Sequence, residues 1–183
     1  MLGDVIKRVR TGQKQTIKEI AEKAGITSSL LSQIENNKAN PSINSLMAIA
    51  KALNVPISSF FNDDDDHRAT AATEPVVRAD NRKFIKTQSG VTFYSLTPEP
   101  RKHSIEFIYN VYEQGGSTGE MYTHEGEECG YVLEGKLEVT YEGHTYILEA
   151  GDSIVLDSTK PHKLTNVHDG QTIAIWADSP PSW

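Results

Sequence analysis

Two periodicities divide the chain. Up to residue 61 apolar positions recur at three- and four-residue spacing, whereas from Val91 they alternate or form short β-branched runs. Ile6 and Val9 predict a first helix over Asp4 to Thr11. Thr16, with Glu19 three residues later, makes a capping box for a second helix, whose Ile20, Ala21 and Ala24 share one face. Gly25 suits the left-handed position that ends such a helix. Thr27 begins a third helix with Leu30, Leu31 and Ile34 as its inward stripe. Asn36 to Ser42 is a turn-rich loop, and Ser42 caps a fourth helix carrying Ile43, Leu46, Ile49, Ala50 and Leu53. Asn54-Val55-Pro56 breaks that helix before a last short helical turn over Ile57 to Phe61, so a compact five-helix domain is expected.

Polar positions give this half a function. The second and third helices, joined by Ala24-Gly25-Ile26-Thr27, have the layout of a helix-turn-helix, in which the later helix enters the major groove. Its inward stripe leaves Ser28, Ser29, Ser32 and Gln33 facing outward, where a recognition helix meets base edges. The short serine hydroxyls have little inherent base preference; Gln33 is the candidate base contact, to an adenine. Thr16, Lys18, Thr27, Asn36 and Lys38 complete the expected DNA-binding set.

Charge supports the division. The chain has net charge −7, from 18 Lys and Arg against 25 Asp and Glu. Residues 1–61 hold eight bases and four acids, leaving 18 − 8 = 10 and 25 − 4 = 21 for the rest, so the parts carry +4 and −11. Phosphate affinity follows local positive charge, not the total.

Residues 2–61 resemble the lambda-repressor-like helix-turn-helix domain of the XRE family. The resemblance rests on Ile20-Ala21-Glu22-Lys23-Ala24-Gly25, Leu31-Ser32-Gln33-Ile34-Glu35-Asn36, Asn40-Pro41-Ser42 and Leu53-Asn54-Val55. The family usually has Gln near the start of the second helix, to bond a phosphate. Ile17 stands there, so Thr16 or Lys18 is expected to substitute.

Residues 62–83, with Asn62 and four aspartates followed by an Ala/Thr-rich stretch, read as a solvated linker. The second unit, 84–183, reads as β. Phe93, Ser104 to Tyr109, Tyr131-Val132-Leu133 and Lys136 to Tyr141 are strand-like, and Glu142-Gly143 marks a hairpin turn into Thr145 to Leu148. Ser153 to Leu156 and Ile173 to Trp176 follow. Many short strands at regular turn spacing suggest a sandwich or barrel, with a jelly roll as one option. Cys129 is the single cysteine, which excludes a disulfide framework or a multi-cysteine zinc site. No stretch has the length of a membrane span or the character of a signal peptide, so a cytoplasmic protein is expected.

Two segments identify the barrel by resemblance. Gly119 to Gly135, with His124 and Glu128, and Gly151 to Asn166, with Pro161-His162, resemble the two motifs of the cupin superfamily. Tyr122 stands where the family's first histidine falls, and Asp157 and Thr159 replace the usual Pro and Gly. His124, Gly126 and Glu128 would share one face of a regular strand. The expected architecture is thus a two-domain α + β chain with a C-terminal cupin jelly-roll barrel. His124, Glu128 and His162 could hold one divalent ion, Fe, Zn, Ni or Mn. Equally, they could bond one another or an organic ligand in a metal-free pocket.

A helix-turn-helix joined to a cupin resembles a family of bacterial transcription regulators. Gly116 to Glu120, His124 to Glu128 and Val132 to Gly135 are most similar to its putrescine-utilisation repressor subgroup, as is the closing Ser179-Pro180-Pro181-Ser182-Trp183. The resemblance implies a homodimer on operator DNA and a barrel that senses a small metabolite. A cationic effector such as a polyamine suits the acids and aromatics around the motif. Glu113, Glu120, Tyr122, Glu128, Tyr131 and Trp176 are its expected contacts. Two alternatives remain open. One is a mononuclear iron oxygenase, as in the hydroxypropylphosphonate epoxidase with the same two-part arrangement. The other is a regulator for which the metal is itself the signal. Carboxylates around the motif disfavour an anionic phosphonate, and the basic recognition domain favours regulation without catalysis.

Overall fold

The computed structural model describes residues 1–55, 57–60, 75–98 and 102–181. Four α-helices, α1 (Leu2–Gly12), α2 (Ile17–Lys23), α3 (Ser28–Glu35) and α4 (Ile43–Ala52), form the N-terminal unit. The expected fifth helix is a 3-10 turn, Ile57–Phe60. Four residues are too few to propagate α-helical i to i−4 bonds, and Phe61 lies outside the described residues. The N-terminal architecture is therefore four helices, not five.

Local chemistry fixes where three of these helices begin. Thr16 Oγ1 accepts from Glu19 N at 3.2 Å while the Glu19 carboxylate accepts from Thr16 N at 2.7 Å, completing the capping box. Thr27 and Ser42 accept from Leu30 N and Ser45 N at 3.1 and 3.2 Å. Each such cap contributes about 1 kcal/mol. The stripes then meet in a core of Ile6, Ile20, Leu31, Ile34, Ile43, Leu46, Ile49, Leu53 and Phe60, all buried. One buried ion pair ties α1 to α3: Arg10 donates from Nε and Nη2 to the two Glu35 oxygens at 2.6 and 2.8 Å, and from Nη1 to Gln15 O at 2.7 Å.

Among the described residues nine strands follow: β1 (Phe84–Lys86), β2 (Val91–Ser95), β3 (Glu106–Tyr112), β4 (Glu127–Glu134), β5 (Lys136–Tyr141), β6 (His144–Glu149), β7 (Ser153–Asp157), β8 (His162–Asn166) and β9 (Thr172–Ser179). They make a six-stranded sheet, β1-β2-β3-β9-β4-β7, and a three-stranded sheet, β6-β5-β8, with antiparallel pairing throughout. Strict alternation decides what faces inward, as in Ile108, Asn110 and Tyr112 on β3 and Ala174, Trp176 and Asp178 on β9. The expected linker, 62–83, falls outside the described residues as far as Glu74, and its described end includes a 3-10 turn at Ala79–Asn81.

The two units touch. Gln88 N donates to Pro41 O at 3.3 Å. A cleft of about 370 Å³ separates Met47, Lys51 and Val55, at and just beyond α4, from Thr123, His124 and Glu125 at the barrel mouth. Among the described residues no helix is long and apolar enough to cross a membrane.

Candidate functional site

The first site is the outer face of α3. Burial of Leu31, Ile34 and Glu35 orients the helix, leaving Ser28, Ser29, Gln33, Asn36 and Lys38 exposed and Ser32 half-buried. Gln33 Nε2 donates to Ser29 Oγ at 3.2 Å and Asn36 Nδ2 to Ser32 O at 2.7 Å, so neighbours on this face hold the amides. The hydroxyls of Thr16 and Thr27 are engaged in capping, and exposed Lys18 lies one residue into α2.

The second site lies within the barrel, where His124, Glu128 and His162 place their ligand atoms within 4.8 Å of one another. His162 Nε2 is 3.0 Å and His124 Nε2 3.8 Å from Glu128 Oε1. None of these three buried atoms has a hydrogen-bond partner of adequate geometry. Each imidazole is fixed from behind: His162 Nδ1 lies 2.9 Å from Lys160 O, and His124 Nδ1 3.2 Å from Glu125 O. A carbonyl only accepts, so Nδ1 carries the proton and each Nε2 of a neutral ring turns a lone pair towards Glu128. Two lone pairs and one carboxylate oxygen converging in a buried site fit a divalent ion, and they fit a hydrogen-bond donor equally well.

His124 reaches this cluster by a different route from the regular strand expected of it. β4 begins only at Glu127, and Gly126 adopts φ +96°. A Cβ there would come within 2.2 Å of Ser179 O, so glycine alone permits the turn. Mutual bonds between Tyr122 and His162, with His124 N donating to Ser158 O at 2.9 Å, bind the preceding segment to the second motif.

Burial governs the protonation of these groups. Tyr122 meets the His162 ring edge-on at 4.1 Å and stacks with His124 at 6.0 Å, and desolvation holds its phenol well above the usual range. It is a neutral wall where the cupin motif usually has a ligand. Desolvation lowers His124. It also opposes the charge of His162, but the Glu128 carboxylate outweighs it and the pKa rises.

Of the expected effector contacts, the interior receives Tyr122, Glu128 and Trp176. Glu113, Glu120 and Tyr131 stand outside it. Tyr131 differs in parity from Glu128 on β4 and therefore points outward, 47% exposed. Glu113 follows the inward Tyr112, stands exposed and pairs with Lys86 at 2.9 Å. Glu120 lies exposed in the loop before the barrel mouth.

Other interior polar residues carry no motif. Glu106, Asp178 and Glu128 are register partners on β3, β9 and β4 and form one buried row, in which Glu106 and Asp178 each have further interactions. Asn110 Nδ2 donates to Tyr112 Oη at 3.2 Å. The signal available in the sequence was parity, since Glu106 and Asn110 occupy the inward phase set by Ile108. Gly130 accommodates Trp176, whose ring would stand 2.6 Å from an added Cβ.

These observations agree with the chain's relatives. Residues 6–60 match the helix-turn-helix family model and residues 108–178 the cupin domain model. The HTH-type transcriptional regulator PuuR of Escherichia coli K12 is 31% identical over 179 residues, covering 97% of this chain and 94% of that protein. SutR of the same organism is 25% identical, covering 90% and 86%. A crystal structure of an HTH_3 family transcriptional regulator from Vibrio cholerae has TM-score 0.69 at 21% identity, covering 98% and 95%. Hydroxypropylphosphonic acid epoxidase from S. wedmorenis has TM-score 0.51 at 20% identity, covering 97% and 96%, a likeness of fold alone. The chain belongs to the XRE-type helix-turn-helix transcriptional regulators that carry a C-terminal cupin domain.

Proposed function

We propose that this regulator senses a small amine inside the cupin barrel and converts its presence into a change in operator binding by paired helix-turn-helix domains. The observation that carries this reading is Glu128, a buried carboxylate with an oxygen lacking a hydrogen-bond partner, in an interior that also holds the buried aromatic rings of Tyr122 and Trp176. An ammonium would supply the missing donor and would gain about 0.5–2 kcal/mol from each well-placed ring face. The Glu106–Asp178–Glu128 row also makes the interior hostile to an anion such as a phosphonate. This charge, together with regulator relatives along nearly the whole chain, favours a regulator over an oxygenase.

The cleft at the barrel mouth offers a route for coupling. His124 belongs both to the ligand cluster and to the wall facing Met47 and Lys51 of α4. A ligand that moves His124 therefore alters the surface on which the DNA-binding unit rests. Coupling of this kind requires different ligand affinities in two arrangements of the domains.

A second reading, a metal-responsive or metal-dependent sensor, is favoured by the fixed Nδ1–H tautomers. His124, Glu128 and His162 would hold the ion, which would supply Lewis acidity and a fixed positive charge at the barrel axis. Tyr122 would shield it from water.

Calorimetry with putrescine, spermidine and amino acids, in the presence of chelator, tests the proposal. Saturable heat with an amine supports it, and no heat from any amine refutes the amine reading. Heat only from divalent metal, titrated in a separate run without chelator, selects the second.

A further inference from the structure

We infer that the cleft between α4 and the barrel mouth is a second ligand site, suited to a small zwitterion with an aliphatic side chain, an amino acid of the leucine type. At about 370 Å³ the cleft lies near the lower end of the range of ligand pockets, and it sits at a domain boundary, where such sites concentrate. Ala48 and Lys51, three residues apart and so on one face of α4, both line it. The short side chain of Ala48 leaves open the space that a longer one would fill. Met47, Val55 and Ile57 make the rest of this wall apolar.

Charge chooses the occupant. Lys51 belongs to the DNA-binding unit and Glu125 to the segment before β4, so the cleft has one cation and one anion, each from a different domain. Both are exposed, and neither pairs with another charge among the described residues. A ligand carboxylate beside Lys51 and its ammonium beside Glu125 form charge-assisted bonds to both units at once. A ligand with only one of these charges leaves the other wall unanswered, and the apolar wall favours an aliphatic side chain over a charged one. Because it spans both units, such an occupant binds only the arrangement in which they are docked. His124 stands between the two sites, lining the cleft while its Nε2 belongs to the barrel cluster. The site nevertheless does not require the barrel to take an amine.

Equilibrium dialysis of the full chain against isotope-labelled L-leucine tests the site. The wild type should retain leucine saturably. Isocaproate, which lacks the ammonium, and isoamylamine, which lacks the carboxylate, should displace it only at concentrations about tenfold higher or more. Ala48→Leu keeps a strong helix former on α4 while filling the space, and it should abolish retention. Lys51→Glu should abolish it as well, and Lys51→Glu with Glu125→Lys, which reverses the polarity of the cleft, should restore it. A wild type that retains no leucine overturns the inference, as does Ala48→Leu that retains leucine fully. Displacement by isoamylamine or isocaproate at the same concentrations as unlabelled leucine overturns the zwitterion assignment. If Ala48→Leu loses its cooperative melting transition, the exposed Lys51 decides instead, and Lys51→Glu that binds leucine like the wild type overturns the site. Failure of the amine reading looks different: leucine would be retained, yet no amine would give heat.

Discussion

His162 Nε2 lies 3.0 Å from Glu128 Oε1 while its Nδ1 is committed to the Lys160 carbonyl at 2.9 Å. The chain thus holds one acceptor nitrogen against one carboxylate inside a barrel, an arrangement that is completed by a cation or by a proton. Glu128→Gln should therefore abolish ligand response with little change of shape. At one hundred times its dissociation constant, a ligand should add about 2.7 kcal/mol of stability to the wild type. A thermal-shift panel of amines and divalent metals should show that increment for the wild type and none for Glu128→Gln.

Acid should weaken ligand binding through the same pair. Burial opposes a charge on His162, but Glu128 prevails, so its proton is retained above the ordinary 6.5. As pH falls through that raised value, the new imidazolium occupies the carboxylate and competes with ammonium or metal alike. Affinity measured from pH 8.5 to 6 should fall for the wild type and stay flatter for His162→Gln. Stability of the free protein gives a weaker readout because the two histidines act oppositely. His162 contributes stability below pH 6.5 that is lost as pH rises through its folded value, whereas His124, lowered by burial, loses stability as pH falls below 6.5.

On α3, Gln33→Ala should relax preference at one base pair by about 1–3 kcal/mol. Lys38→Ala should instead weaken binding to all duplexes and flatten the log–log salt slope by about 0.9. Fluorescence polarisation against a selected site and its single-base variants, at several salt concentrations, separates the two effects.

The pair joining α1 to α3 is a stability element. Arg10→Ala strands the buried Glu35 carboxylate and should cost about 3–5 kcal/mol in urea unfolding. Arg10→Met with Glu35→Leu should recover most of that loss, since no unpaired charge remains.

The legible parts of this chain were those governed by near neighbours. Thr16 with Glu19, Thr27 and Ser42 act within four residues, so spacing alone located three helix starts, and the left-handed Gly25 and Glu142-Gly143 turns were equally local. The His124, Glu128 and His162 cluster was legible through motif resemblance. Parity misled where a strand was assumed but not present, since Gly126 turns the chain before β4 starts. Proximity in sequence does not bring Glu113, Glu120 and Tyr131 to Glu128, because each is exposed while Glu128 is buried in the barrel. Glu106 and Asp178 went unread because only the pairing of β3 with β9 and β4 brings residues so distant in sequence into one row.

The most direct test of the account is the effect of an amine on DNA affinity, measured with duplex fragments selected from a random library. The account predicts that putrescine or spermidine shifts the affinity of the wild type, and that Glu128→Gln binds the same DNA with no shift. An equal shift in Glu128→Gln, or a wild type whose DNA affinity no amine alters, would contradict it.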